Sequence, residues 1–489
     1  MRVMMIGLDA ASLEFITRAR TSLPTLRRLL DTGTRQRLRS RSAELFPASV
    51  WPSFYTGMPP GRHGVYYPLQ WDHTSMSLRP AIHLLSCTPF WVDLEERGYR
   101  IVALDVPATW RSRLRRGVEI TDWATHDETQ GFSAQPRELG EQLRRALGAR
   151  TMGPEIPVAK SAAQLRRLRD EVIASAARKG ACIKWLLGRQ DWDLFITVFG
   201  ETHRAGHLFW PAPGNDESAV GDLGSALLEC YQAVDRAIGD VVAAGVDANT
   251  LLVVFSVHSM GPNDSQEHFM RPLMNRINAR FGTSGVKAQP QTSRGVVQVL
   301  RERLPARLQH TVGRAVPLGW RDAVVSHAVT SGYDWPRTPG IAILASVAGF
   351  VRFNLRGRET AGMLDAGSEM HRRYVGWLKE ALYSCRFANT GEPVVKEVAL
   401  TSEEFAGERS VYLPDAVVVW AADRVPASRI TSDALGVIEA KPATGRAGNH
   451  RPDGFTIIVD PRHQHAGEAP DGDIVNLAPM VQRFLNARR

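Results

Sequence analysis

The segment GETHRAGHLFW contains two histidines with the spacing that metal ligands on a helix need. His203 and His207 are four residues apart, so on a helix they share one face and their imidazoles can bind one metal ion. Glu201 is close enough in sequence to be a further ligand, or a partner that orients an imidazole. The alternative is two histidines on a loop beside the apolar residues LFW. The pair alone is therefore weak evidence for a metal site.

Another histidine follows an uninterrupted apolar run in the stretch LLVVFSVHSMGPN. Residues 251–255 are apolar without alternation, which predicts a strand buried on both faces of a parallel sheet. His258 comes just after this strand. Ligands of open α/β sheets bind at the carboxyl ends of the strands, so we expect His258 to lie at a ligand-binding edge.

Three further residues of suitable chemistry can be placed at the same edge. Asp9 follows a predicted strand at residues 3–8, and His450 precedes a turn and the apolar run FTIIV. Ser49 lies in ELFPASVWPSF, in a tight turn after which a helix can begin at Trp51. A hydroxyl at a helix N-terminus lies in positive potential, which favours its alkoxide and attracts phosphate oxygens. A helix-capping serine is the alternative interpretation.

Apolar runs alternate with helical patterns along the chain, as they do in α/β proteins. Strands are predicted at residues 3–8, 101–104, 194–199 and 251–255, and long helices at 161–187 and 223–242. We therefore predict a mostly parallel central sheet with helices on both faces. The pattern loosens after residue 264, so residues 265–440 are interpreted as a large insertion or cap between core segments at 1–264 and 441–489.

The composition argues against several classes of protein. The chain has 489 residues and a formal net charge of +9, without any zinc-finger or RNA-binding pattern, so no specific nucleic-acid partner is expected. The charge indicates either a solvated basic surface or attraction for anionic substrates. The four cysteines lack CxxC spacing, which disfavours disulfides and thiolate metal sites. With no signal peptide and no run of eighteen apolar residues, we expect a cytoplasmic protein without membrane spans, of unknown oligomeric state.

Taken in order, these motifs resemble those of the alkaline phosphatase superfamily, specifically its branch of type I phosphodiesterases and nucleotide pyrophosphatases. The similar segments are GLDAA, SVWPSFYTGMPPGRHG, GETHRAGH, SVHSMG and GNHRPDG. The resemblance covers nearly the whole chain and implies a phosphoryl-transfer enzyme with two metal ions, typically zinc. It assigns Asp9, Ser49 and His258 to one metal site and His207 and His450 to the other. It also implies that Ser49 is the nucleophile, phosphorylated and then released by water.

Two positions depart from the pattern of the family that the chain resembles. The acid that usually precedes the strand-end histidine is Val257 here, so the site with Asp9 and His258 loses a ligand. His203 replaces the aspartate that usually precedes the central histidine by four residues. This leaves His203, His207 and His450 as a three-histidine set suited to zinc. We therefore expect a divalent metal, with zinc favoured, and one tightly bound ion rather than two.

The predicted activity is hydrolysis or transfer at a phosphodiester, a phosphate ester or a related anionic ester such as a sulfate. The partner would be a small anionic ester, whose identity the sequence does not reveal. Two alternatives stay open. A noncatalytic or single-metal member of the family would bind an anionic ligand, and a biosynthetic enzyme would transfer the group to an acceptor other than water.

Overall fold

The structure is a computed structural model that describes residues 2–110, 113–125, 130–149, 152–153, 155, 160–211, 223–282, 318–422, 425–442, 445–461 and 472–486. Within these residues the strands, numbered in chain order, are β1 Arg2–Leu8, β2 Thr34–Arg39, β3 Leu69–Asp72, β4 Ser77–Pro80, β5 Ile101–Leu104, β6 Val118–Thr121, β7 Ser133–Gln135, β8 Leu194–Phe199, β9 Thr250–Ser256, β10 Ser259–Pro262, β11 Gly340–Ile343, β12 Gly349–Phe353, β13 Cys385–Phe387, β14 Val395–Leu400, β15 Ala416–Trp420, β16 Arg429–Ser432, β17 Gly436–Glu439, β18 Gly448–Arg451 and β19 Asp453–Val459. The α-helices are α1 Leu13–Arg18, α2 Pro24–Thr32, α3 Arg41–Leu45, α4 Val50–Thr56, α5 Pro60–His63, α6 Ala81–Leu84, α7 Phe90–Glu96, α8 Arg137–Leu147, α9 Ala162–Leu187, α10 Glu201–Phe209, α11 Ala226–Gly245, α12 Met270–Phe281, α13 Leu318–Thr330, α14 Glu369–Tyr383, α15 Thr401–Glu404 and α16 Leu477–Asn486.

A mixed sheet of eight strands, in the order β2-β19-β9-β1-β8-β5-β6-β7, forms the centre of the protein. The run from β9 to β6 is parallel, and the strands outside it are antiparallel to their neighbours. Successive side chains of a strand point to opposite faces of the sheet. Accordingly, Met4 and Ile6 of β1 join one hydrophobic cluster and Val3 and Met5 join another. The structure confirms the predicted mostly parallel sheet with helices on both faces.

The predicted elements of this sheet are present with small shifts at their ends. Strands β5 and β8 have the predicted bounds, whereas β1 begins one residue earlier and β9 extends one residue further at each end. The long helical pattern at 161–187 is α9, whose start is fixed by a capping box between Ser161 and Gln164. The other long pattern is α11, which begins three residues later than predicted and continues to Gly245.

The carboxyl ends of three neighbouring strands bring distant parts of the chain together. In the register of the sheet, Gly7 of β1 pairs with Phe255 of β9, and Leu8 pairs with Phe199 of β8. The residues that follow these strands therefore emerge side by side at one edge of the sheet. They are Asp9, the helix α10 and the segment leading to β10, so this edge combines three of the five chain segments in which sequence motifs were found.

The chain between β10 and β18 forms additional sheets outside the central one. Strands β11, β12, β15 and β14 form one sheet, and β13, β16 and β17 form another. Helices α12 and α14 share a hydrophobic cluster with these strands. The predicted insertion at 265–440 includes residues 283–317 and 423–424, which lie outside the described residues, and the division of the chain into domains stays a prediction. Among the helices that the structure describes, none is both long and apolar enough to cross a membrane.

Candidate metal centre

Four imidazole rings converge at the carboxyl edge of the sheet. The ring centroids of His203 and His207 are 4.7 Å apart, and that of His450 lies 4.7 Å from His203 and 4.9 Å from His207. His258 lies 4.7 Å from His450 in the same measure. His203, His207 and His258 are buried, and His450 is partly buried. All four histidines that the motifs indicated are thus neighbours in space.

Helix α10 begins directly after β8 and carries His203 and His207 one turn apart on a single face. Its central glycine permits a close approach to β10, since a Cβ on Gly206 would lie 2.6 Å from Met260 Cγ. Met260 is paired with His450 across the β10–β18 ladder. The tight packing of α10 on β10 therefore brings His450 to the two helical histidines, although it lies more than two hundred residues away in sequence.

Strand β18 is also attached directly to α10. The Ala447 amide donates a hydrogen bond to the His207 carbonyl (2.7 Å), and the Gly448 carbonyl lies 2.8 Å from His207 Nδ1. A carbonyl oxygen can only accept, so Nδ1 of His207 carries the proton and Nε2 presents its lone pair. Metal-binding histidines commonly have this arrangement, in which the second nitrogen donates to a fixed acceptor.

Asp9 is fully buried at the end of β1, and both of its oxygens contact other side chains. Oδ1 accepts a hydrogen bond from Trp51 Nε1 (2.9 Å) and lies 3.8 Å from His258 Nε2, while Oδ2 lies 3.0 Å from His203 Nδ1. The resemblance grouped Asp9 with His258 and placed His203 in the other site. In the structure Asp9 contacts both histidines, and its hydrogen bond to His203 leaves Nε2 of that ring as the ligand atom.

The cluster contains two groups of three residues, and within each group the donor atoms all lie within 4.8 Å of one another. One comprises His203, His258 and His450, and the other comprises Glu155, His203 and His207. The sequence-based set of His203, His207 and His450 is therefore shared between two groups that have His203 in common. Glu155 was missed by the sequence analysis, because no motif or regular element marks the stretch in which it lies.

Glu155 is only 8% exposed, and its charge is balanced by an arginine. Its Oε1 accepts a hydrogen bond from Arg446 Nε at 2.7 Å and lies 2.6 Å from Nη2 of the same side chain. Burial raises the pKa of Glu155, but the positive charge of Arg446 holds this pKa well below its ordinary value. The group is therefore a carboxylate at neutral pH.

Glu201, predicted as a further ligand or orienting partner, belongs to neither donor group. Its Oε1 accepts a hydrogen bond from Ser175 of α9 at 2.6 Å. Residues two apart on a helix point in nearly opposite directions, so Glu201 cannot share the face of His203. Burial raises the pKa of this carboxyl even though Lys179 lies nearby. Its Oε1 is engaged by α9 rather than by the histidines, and its role as a ligand or an orienting partner stays a prediction.

Ser49 lies immediately before α4, which begins at Val50, one residue earlier than predicted. The serine is fully buried, and its Oγ has no hydrogen-bond partner among the residues that the structure describes. It makes no side-chain capping bond to the helix, so the structure does not have the capping contact that was the alternative. Two residues further on, Trp51 donates to Asp9 and thereby holds the start of α4 beside the histidine cluster.

Another buried serine, Ser53, differs from Ser49 because its hydroxyl forms a hydrogen bond with His63 Nε2 (3.0 Å). The Val65 amide donates to His63 Nδ1, so Nε2 carries the proton and donates to Ser53 Oγ. Burial lowers the pKa of His63 to about 3. In this tautomer the imidazole cannot take a proton from Ser53 through Nε2, which makes the pair a packing contact rather than a nucleophile with its base.

Residues 3–348 match the sequence profile of the family described as type I phosphodiesterase / nucleotide pyrophosphatase. The chain belongs to this family. The match spans β1 to the segment before β12 and includes Asp9, Ser49, His207 and His258. Among curated proteins, none matches the chain in sequence.

Two solved structures illustrate how this member of the type I phosphodiesterase family compares in fold. Phosphonoacetate hydrolase from Sinorhizobium meliloti 1021, in complex with phosphonoacetate, is 14% identical with a TM-score of 0.50, over 98% of this chain and 94% of its own. Murine ectonucleotide pyrophosphatase/phosphodiesterase 5 is 11% identical with a TM-score of 0.46, over 99% and 95%. The first likeness shows a shared fold.

In this phosphodiesterase-family chain, the buried donor atoms suit a metal ion. His207 Nε2 and His450 Nδ1 are buried and have no hydrogen-bond partner within the described part of the chain. Burial, followed by Arg446, lowers the pKa of His207 well below its usual value, and burial with His258 does the same for His450. Neutral imidazoles are the form that binds metal. A set of imidazole nitrogens with carboxylate oxygens is suited to zinc and similar divalent ions.

Val257, where the sequence analysis expected the loss of a metal ligand, is part of the hydrophobic core. Its side chain is fully buried and belongs to the same cluster as Trp51 and Phe255. The position therefore supplies packing to this member of the family and has no atom that can bind a metal.

Proposed function

We propose that this chain is a metal-dependent hydrolase of phosphodiesters, phosphate esters or related anionic esters, with Ser49 as the nucleophile. The observation that carries the proposal is the convergence of four imidazoles with Asp9 at the carboxyl edge of the sheet, in a member of the type I phosphodiesterase family. Sheets of this kind bind ligands at that edge.

The metal would be held or oriented by Asp9, Glu155, His203, His207, His258 and His450. When bound, a divalent ion, with zinc favoured, polarises a phosphoryl oxygen and lowers the pKa of an attacking hydroxyl. In the proposed reaction, Ser49 Oγ would lose its proton and form a bond to phosphorus as the bond to the leaving oxygen breaks, and the leaving oxygen would take up a proton from solvent. Water would then attack the phosphoserine, which regenerates the Ser49 hydroxyl and releases the phosphate product. A different acceptor in the second step would make the enzyme a transferase.

His203 supports a stoichiometry of one tightly bound ion per chain. It belongs to both groups of donor atoms, and with its Nδ1 proton directed to Asp9 it has a single lone pair for a metal. The two groups therefore compete for the same ligand atom. Val257 is buried, and its side chain offers no ligand atom where the family resemblance implies an acid.

Basic side chains next to the cluster support an anionic substrate. The positive charge of Arg446 lowers the pKa values of Glu155, His207 and His450. Arg204 and Lys160 also interact electrostatically with Glu155. Clefts lined with one sign of charge raise the local concentration of ligands of the opposite sign. The S. meliloti hydrolase of similar fold was solved with phosphonoacetate, which is also a small anion.

The proposal is tested with a chromogenic bis-aryl phosphodiester and the Ser49→Ala variant. We expect kcat to fall by about 100-fold or more while zinc content and the unfolding midpoint stay unchanged, since the hydroxyl contributes chemistry rather than packing. Ser53→Ala is the matched control, because it removes a buried serine that the mechanism does not use. Wild-type turnover by Ser49→Ala would exclude the serine from the reaction.

The main alternative, a noncatalytic or single-metal member that binds an anionic ligand, is favoured by one observation, the buried valine at position 257. It predicts zinc binding by the wild-type protein without turnover of any ester tested. Measuring metal content and turnover on the same preparation separates this alternative from the hydrolase.

A further inference from the structure

We propose that Glu155 is the carboxylate ligand of the bound metal and replaces the acids that the family pattern has at positions 203 and 257. This inference rests on the proposed function and specifies its metal site. Sequence reasoning overlooked the residue, and the ligand set of the family resemblance does not include it. The expected ion is zinc or another divalent transition metal, held by one carboxylate and imidazole nitrogens.

The donor atoms of Glu155 lie close to those of two histidines. Glu155 lies with His203 and His207 in a group whose donor atoms are all within 4.8 Å of one another. Bonds from zinc to nitrogen and oxygen are about 2 Å long, so one ion can bridge atoms at this spacing after a small inward movement. Both histidines have a fixed proton on Nδ1, through Asp9 and Gly448, and therefore present Nε2.

The two oxygens of the Glu155 carboxylate have different surroundings. Oε1 of Glu155 is engaged by Arg446, whereas Oε2 is buried and has no hydrogen-bond partner among the described residues. A buried carboxylate oxygen without a partner costs free energy, and this cost falls when the oxygen binds a cation. The arginine contact leaves the second oxygen available and restricts the rotation of the group, as outer-shell partners of metal ligands do.

The charge of the cluster also favours a carboxylate ligand. Imidazoles are neutral ligands. With His203 and Val257 at the positions of two acids of the family pattern, Asp9 is the only carboxylate that the resemblance leaves beside the four histidines. Both oxygens of Asp9 already contact other side chains, Trp51 and His203. A divalent ion in a buried site needs nearby negative charge. Glu155 supplies a carboxylate within reach of His203 and His207, and its Oε1 accepts from Arg446, which lies just before β18.

Glu155→Gln is the decisive variant, because glutamine keeps the size of the side chain and an oxygen that can accept from Arg446 but has no negative charge. We expect its affinity for Zn²⁺, measured by competition with a chromogenic chelator, to fall by about 100-fold or more. The d–d absorption of the Co²⁺-substituted protein should also change. Neither measurement depends on turnover.

Two variants with the same substitution serve as controls. Glu119→Gln alters another buried glutamate, which accepts a hydrogen bond from Trp91, and should leave zinc affinity and the cobalt spectrum unchanged. Glu201→Gln tests the ligand that the sequence suggested, and it should also bind zinc as tightly as the wild type. If Glu155→Gln fails to fold, Glu155→Asp keeps the charge on a shorter side chain and should bind zinc with intermediate affinity.

Wild-type zinc affinity and an unchanged cobalt spectrum in Glu155→Gln would overturn the assignment of this ligand. If that variant binds metal normally and the wild type turns over substrate, the proposed function stands and the assignment of Glu155 alone fails. If the wild type binds no divalent metal, both proposals fail together.

Discussion

Gly448 lies where β18 meets α10, and its replacement by alanine tests how the histidine cluster is assembled. A Cβ at this position would lie 2.7 Å from Trp210 Cβ, 3.0 Å from Gly261 O and closer still to the Gly206 carbonyl oxygen. Two of these three atoms belong to the backbone, so a side-chain rotation cannot relieve the overlap. Strand β18 must therefore move away from the helix.

Two effects contribute to the loss of stability that we expect in Gly448→Ala. Forcing an extra carbon into a packed interior typically costs about 1–3 kcal/mol. Movement of β18 also weakens the hydrogen bond from His207 Nδ1 to the Gly448 carbonyl, a contact worth about 0.5–1.5 kcal/mol. We therefore expect Gly448→Ala to lower the free energy of unfolding by about 1.5–4.5 kcal/mol. Zinc affinity should fall by about 10–100-fold, as it does when the outer partner of a histidine ligand is lost.

Urea unfolding of the metal-free protein measures the first effect, and zinc competition on the folded protein measures the second. Gly376→Ala is the matched control, since nothing lies within 4 Å of a Cβ at this exposed position in α14. This control should gain about 0.5–1 kcal/mol from helix propensity and leave zinc affinity unchanged. If Gly448→Ala unfolds at the same urea concentration as the wild type and binds zinc equally tightly, this account of the contact is refuted.

Two further predictions concern metal content and pH. Val257→Asp should raise tightly bound metal toward two ions per chain in elemental analysis, and should destabilise the metal-free protein because it buries a carboxylate in a hydrophobic cluster; two ions in the unmodified protein would contradict the one-metal proposal. Burial lowers the pKa of His63 to about 3 in the folded protein, whereas a histidine in the unfolded chain titrates near 6.5. Between these two pH values only the unfolded state binds the extra proton. The free energy of unfolding therefore falls as the pH drops below 6.5. His63 should account for about 2 kcal/mol of the loss between pH 7 and pH 5, and urea unfolding of His63→Gln should show a correspondingly smaller loss. Equal losses in the two proteins would contradict it.

Much of the fold and part of the site were predictable because their signals are local. The apolar runs of β1, β5, β8 and β9 indicate strands buried on both faces, and strands of this kind belong to parallel sheets. The spacing of His203 and His207 predicts a shared helix face, and the structure has this face in α10. The positions of Asp9 and His258 after strands predict their place at one edge, since parallel strands end together.

The tertiary structure decided which of these residues touch. The local sequence pattern does not indicate that Asp9 contacts His203 as well as His258. It also does not indicate that Glu201 accepts a hydrogen bond from Ser175 or that Glu155 joins the cluster. These contacts depend on the packing of α10 between β10, β18 and α9, and that packing depends on small residues such as Gly206 and Gly448 that allow backbones to approach. Periodicity reports whether a side chain is buried and on which face it lies. The partner across an interface depends on segments far away in the chain, so only the folded arrangement determines it.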